Sequence, residues 1–133
     1  MKTIIAGGRN IRNVASIFKA IEDAKLDITE VVSGTAGGVD KIGEMWANSK
    51  GIPVKRFPAD WENLTYPDAI IRTREDGSSY DAKAGARRNG EMAKYVGKEG
   101  ALIAIFDGES KGTLDMIEQA QEQGVKVSIH IVK

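Results

Sequence analysis

Three short segments hold residues whose types and spacing suit the capture of an anion. In Gly7-Gly8-Arg9, two glycines let a ligand approach the backbone and Arg9 could offer a bidentate fork to phosphate. A turn with a surface arginine explains the same residues equally well. In Ser33-Gly34-Thr35-Ala36-Gly37-Gly38, small residues at a helix start would leave amides free, with hydroxyls beside them. The glycine spacing and following lysine of a P-loop are missing, and so is the dinucleotide fingerprint. A merely tight turn rarely needs so many glycines, so a binding role is favoured. The third segment, Asp107-Gly108-Glu109-Ser110-Lys111-Gly112-Thr113, again joins a strand end to a helix start, where Lys111 and Thr113 supply a charge and a hydroxyl.

Arg87-Arg88-Asn89 occupy the first turns of a helix that continues through Met92, Ala93 and Val96. Cations disfavour a helix amino terminus unless an anion is near, so a ligand role is preferred to two solvated arginines. Trp61, Tyr66 and Tyr80 are better read as packing a long loop onto its own domain. Trp61 is the exception, placed to stack on a ring while Asp60 beside it binds ribose hydroxyls. His130 is the sole histidine and lies in a strand on the polar face, which suits a solvated or interface residue better than a catalytic relay. No HExxH, cysteine cluster or calcium-loop spacing occurs, so neither a metal site nor a cofactor is expected.

The elements that position these segments follow from hydrophobic periodicity. Thr3 to Ala6 reads as a strand, followed by a helix with Val14, Ile17, Phe18 and Ile21 on one face. The unit repeats: Glu30 to Val32, then Val39, Ile42 and Trp46 on a helix stopped by Gly51, then a strand from Pro53 to Phe57. Ala101 to Phe106 is the most continuously apolar strand and should sit centrally, with a helix after it ending near Gly124. Val125 to Val132 alternates, as an edge strand would. Strands alternating with helices predict an α/β, Rossmann-like three-layer fold whose parallel sheet of about five strands has the order 3-2-1-4-5 in chain sequence. Residues 59–83 break the rhythm. Ile70 to Arg74 before Asp76-Gly77 predicts a hairpin-bearing excursion there.

The 133 residues suit one domain over 1–133, and the absence of cysteine fits a reducing compartment. Nineteen Lys plus Arg balance nineteen Asp plus Glu, so no long-range field favours nucleic acid or an anionic membrane. No apolar run is long enough to span a bilayer, and no secretory h-region follows Met1.

Taken together, Ala6 to Arg9, Ser33-Gly34 through Gly38-Val39-Asp40, Phe57 to Trp61, Ala84-Gly85 with Arg88-Asn89, and Gly108 with Ser110 to Thr113 resemble the SLOG superfamily, more narrowly its small YspA-related branch of phages and bacteria. That superfamily includes LOG-type phosphoribohydrolases, Smf DNA-processing proteins and domains thought to sense nucleotide-derived signals. The resemblance implies a Rossmann-like fold, a cytoplasmic location (host cytoplasm if phage-encoded) and a nucleotide-like small molecule as partner. Together with the apolar helix faces it also implies a homo-oligomer. In the phosphoribohydrolases an arginine followed by lysine works with a Gly-Thr-x-x-Glu motif to cleave an N-glycosidic bond. Here Arg88-Asn89 matches the first and Gly112-Thr113-Leu114-Asp115-Met116 aligns with the second, so Met116 stands where the glutamate belongs. A thioether can neither activate water nor stabilise a cationic ribose. Asp115 and Glu118 should be rotated away from that direction, which leaves Asp40, Asp60 and Glu91 as carboxylates that could substitute.

The favoured reading is therefore a binder of a nucleotide-derived phosphate, acting as a sensor or sequestering factor. The alternative is a hydrolase or transferase acting on a nucleoside phosphate, and a nucleic-acid module fits the balanced charge badly. In a fluorescence titration, single-stranded oligonucleotides are expected to show no submicromolar, salt-sensitive binding.

Overall fold

The computed structural model describes residues 1–132. Apolar Ile4, Ile5 and Ala6 form the middle of β1 (Lys2–Gly7), and β6 (Ala101–Phe106) is buried along its whole length. Strands buried on both faces need partners on both edges and helices above and below. Both conditions are met. β1 pairs in parallel with β6 from Thr3 opposite Ala101 to Gly7 opposite Ile105, and with β2 (Glu30–Ser33) on its other edge. β3 (Val54–Arg56) and β7 (Lys126–Ile131) complete the sheet in the order β3-β2-β1-β6-β7. This is the topology the sequence predicts, with the winding reversing between β1 and β6.

Helices cover the two faces in separate pairs. On one face α1 (Val14–Asp23) and α2 (Val39–Lys50) bury Ile17, Ile21, Ile42 and Trp46 against Ile5, Val31, Ile103 and Ile105. On the other, α3 (Ala84–Val96) and α4 (Lys111–Glu122) bury Met92, Val96, Met116 and Ile117 against Ile4, Val32, Leu102 and Phe106. Asn13 caps α1 through a 3.0 Å bond from the Ser16 amide to its side chain, and Gly51 ends α2 in the left-handed conformation. Among the described residues no helix is long and apolar enough to cross a membrane.

The excursion contains a two-stranded antiparallel hairpin, β4 (Ile71–Thr73) and β5 (Ser79–Asp81), closed by a turn at Gly77. The edge strand β7 departs from its expected pattern. Val125 and Val127 pack against the core, but Ile129 and Ile131, assigned to the same face, are 49% and 52% exposed.

At the reversal point the backbones come into contact. A Cβ built on Gly7 would lie 1.8 Å from the carbonyl oxygen of Ile105, on the neighbouring strand. Gly38 has φ +67° and ψ −124°, and a Cβ there would meet the carbonyl oxygen of Gly8 at 2.4 Å. In both cases the obstacle is main chain and cannot rotate away. Gly7→Ala is therefore expected to lose more than about 4 kcal/mol of stability, or to prevent folding, as measured by urea denaturation.

Candidate functional site

Because β1 and β6 send their crossovers to opposite faces, the loops beyond their carboxyl ends diverge. The result is an open crevice of about 690 Å³. Of the residues singled out from sequence, it is lined by Gly7, Arg9, Gly34, Thr35, Gly37, Asp40, Trp61, Arg88, Asn89, Ser110, Lys111, Gly112 and Thr113. Gly8, Ser33, Gly38, Asp107 and Gly108 lie outside its lining, as do Asp60 and Glu91, which border a smaller neighbouring depression with Arg87.

Some of the amides expected to be free are satisfied internally, since a helix start must place its donors somewhere. In the loop after β2, the Thr35 amide donates to the Ser33 hydroxyl at 3.0 Å, Ala36 to Asp40 Oδ2 at 3.1 Å, and Val39 to the Gly8 carbonyl at 3.2 Å. Ser33 in turn donates to buried Glu44 at 2.6 Å, which Arg56 also pairs at 2.9 Å. Burial raises the Glu44 carboxyl, but Arg56 and Ser33 outweigh it and hold it below its ordinary value. Asp107 behaves as a cap: its Oδ1 accepts the amides of Glu109 and Ser110 at 2.8 and 3.1 Å, and these bonds lower its pKa. Ser110 caps α4, accepting the Thr113 amide at 3.5 Å.

What remains without a protein acceptor among the described residues is more narrowly placed. It includes the amides of Gly34, Gly37 and Gly38, of Lys111 and Gly112, and of Ala84 to Ala86 at the start of α3, where no side chain caps the helix. Sequence reasoning missed the last group. The signal was present in Ala82-Lys83-Ala84-Gly85-Ala86, a helix start with no Ser, Thr, Asp or Asn to cap it. Pro58, Ala59, Ala82 and Ala86 were also missed as lining residues, because nothing chemical marks them.

The paired arginines of α3 part company. Arg87 leaves the crevice and binds Asp81 at 2.8 Å and Asp68 at 2.6 Å, with Tyr66 stacked on its guanidinium at 3.7 Å. The ligand role expected of it gives way to clamping the excursion. Arg88 lines the crevice. Its Nε donates to Asn89 Oδ1 at 3.1 Å and its Nη1 to the Gly34 carbonyl, yet it makes no ion pair among the described residues. Burial pushes its pKa down and nearby Asp40 pushes it back up. Asn89, buried, spends its amide on Gly112 at 3.3 Å and Asp115 at 2.9 Å, so it braces Arg88 against α4. Asp115 borders the crevice despite its expected rotation away, because the crevice spans the whole first turn of α4; its carboxylate is held by Asn89 and Gln119. Met116, 1% exposed, lies at the crevice floor.

Asp40 is the unusual group. Only 5% exposed, it accepts the amide of Ala36 and is bonded by that of Gly7, but burial dominates and its pKa rises from 3.8 to about 6. Among the described residues no group of three or more His, Asp or Glu could hold a metal ion.

A model of the YspA, cpYpsA-related SLOG family matches residues 1–64. No curated protein matches the chain. Among solved structures, DNA processing protein A (DprA) from Streptococcus pneumoniae superposes with a TM-score of 0.63 at 20% identity, covering 96% of this chain and 49% of that one. The chain thus shares that protein's fold over about half its length.

The Asp40 environment has a consequence for stability. Native Asp40 keeps its proton up to about pH 6, whereas the unfolded chain releases it near 3.8, so the folded state binds more protons in between. Stability from this group is present below pH 3.8 and is lost as pH rises through 6, by about 3 kcal/mol. Chemical denaturation between pH 4 and 7 is expected to show this falling component, and Asp40→Asn to remove it.

Proposed function

We propose that the switch-point crevice binds a nucleotide-derived, phosphate-bearing small molecule, in the role of a sensor or sequestering protein; the match of residues 1–64 to the YspA, cpYpsA-related SLOG family and the Rossmann-like fold support this reading. One observation carries this reading: a part-buried guanidinium, Arg88, faces the crevice without an ion-pair partner, while Arg56, Arg74 and Arg87 all have one. A desolvated cation without an anion is costly, and a ligand phosphate would supply the missing charge. The unpartnered amides at the starts of α3 and α4 and at Gly37-Gly38 add neutral donors around it. Lys111 and Arg9 extend the positive rim.

A second reading, cleavage of the N-glycosidic bond of a nucleoside phosphate, is favoured by one residue. Of the carboxylates that could replace the glutamate missing at Met116, Asp40 borders the main crevice and Asp60 and Glu91 do not. A carboxyl that titrates near pH 6 can exchange protons at physiological pH. The binder reading is preferred because Asp40 is committed to the Ala36 amide and braces the loop. Free base released from a nucleoside monophosphate, followed by chromatography and abolished in Asp40→Asn, would decide for hydrolysis.

For binding, calorimetric titration with AMP is expected to show Arg88→Ala weaker by roughly 1.5 to 3 kcal/mol, with Arg88→Lys recovering part of the loss because an ammonium lacks the planar fork. Equal affinity in Arg88→Ala would remove Arg88 from the site.

A further inference from the structure

The crevice is not uniform. Beside the charged residues Arg9, Asp40, Arg88, Lys111 and Asp115, its lining includes the uncharged Pro58, Ala59, Ala82 and Trp61. A ligand that meets both sets needs an ionic part and an apolar part.

Among the described residues Trp61 is the only aromatic one that lines the crevice, and it is 39% exposed. Exposed tryptophan is costly to keep in water, and here its position is tightly specified. Its carbonyl accepts the Asp81 amide at 2.8 Å. Asp81 is fully buried and tied to Arg87 at 2.8 Å, to the Ile70 amide at 3.1 Å and to the Lys83 amide at 2.9 Å. Burial opposes its ionisation, but these bonds outweigh it and keep its pKa below the ordinary value. The indole meets Tyr80 edge-on at a centroid distance of 6.3 Å, and its far edge rests on Gly85, where a Cβ would lie 3.1 Å from Cη2. A fixed ring is thus seated on the first turn of α3. Gly85 and Arg88 are three residues apart, roughly 4.5 Å along the helix axis, so one small molecule can engage both the ring and the guanidinium.

Resting on the phosphate-ligand reading above, we propose that Trp61 is the stacking platform for a planar ring, which makes the ligand an aromatic-base phosphate, such as a purine nucleotide, in preference to a plain sugar phosphate. Asp60, the ribose contact expected beside Trp61, accepts from Asn63 at 3.2 Å and borders the other depression.

Calorimetric titrations with AMP, ribose 5-phosphate and adenosine test this, with buried Trp46 as a fluorescence reporter that each variant is folded. AMP is expected to bind roughly tenfold or more tightly than ribose 5-phosphate, the range of one stacked base. Trp61→Ala should abolish that preference, and Trp61→Phe should retain most of it. Equal binding of AMP and ribose 5-phosphate by the natural protein, or an unchanged preference in folded Trp61→Ala, overturns the platform and leaves the phosphate site standing. Adenosine binding without ribose 5-phosphate binding keeps the platform and withdraws the phosphate reading. A protein that answers to neither AMP nor adenosine overturns the proposal.

Discussion

The parallel pairing of β1 with β6 sets the rest of the molecule. Five residue pairs, from Thr3 with Ala101 to Gly7 with Ile105, join the two strands along which the sheet reverses its winding. The strands must approach so closely that Gly7 has no room for a side chain beside the Ile105 carbonyl. Their crossovers then leave in opposite directions, α1 and α2 to one face and α3 and α4 to the other. The crevice is the gap this divergence forces open, and its position needs no further device.

Within that gap, charge is arranged by burial more than by number. The chain is neutral overall, yet the crevice holds one part-buried cation without an ion pair and one carboxyl driven toward its neutral form. Asp40 and Arg88 act on each other only at a distance: each shifts the other's proton affinity, and no ion pair forms between them. Glu44, one helical turn beyond Asp40, is stabilised as an anion by Arg56 and Ser33. Two carboxyls on one helix are thus pushed in opposite directions by their surroundings.

The excursion between β3 and α3 adds the wall that the bare fold lacks. Its buried centre is Asp81, whose carboxylate gathers Arg87 and two backbone amides. A buried charge of this kind is tolerated only when fully paired, and the pairing fixes where the loop lies. Arg87 and Arg88, adjacent in sequence, therefore serve different surfaces: one clamps the excursion and the other faces the crevice.

The elements, their order and the edge of the sheet where the loops diverge were legible along the chain. These follow from apolar periodicity and from the handedness of crossovers, both of which are local or nearly so. The sequence also marked the loops that line the crevice, through the glycines and hydroxyls at the strand ends. It could not say which amides stay free, because Ser33, Asp40, Asp107 and Ser110 are themselves acceptors that reach back to them. Nor could it separate Arg87 from Arg88, a choice made by Asp81 and Asp68 once the excursion has folded back onto α3. The raised pKa of Asp40 and the seating of Trp61 on Gly85 likewise exist only once chain remote in sequence has been packed around them. Periodicity is written along the chain, whereas desolvation and ion pairing depend on what the fold brings close, and only the tertiary structure decides that.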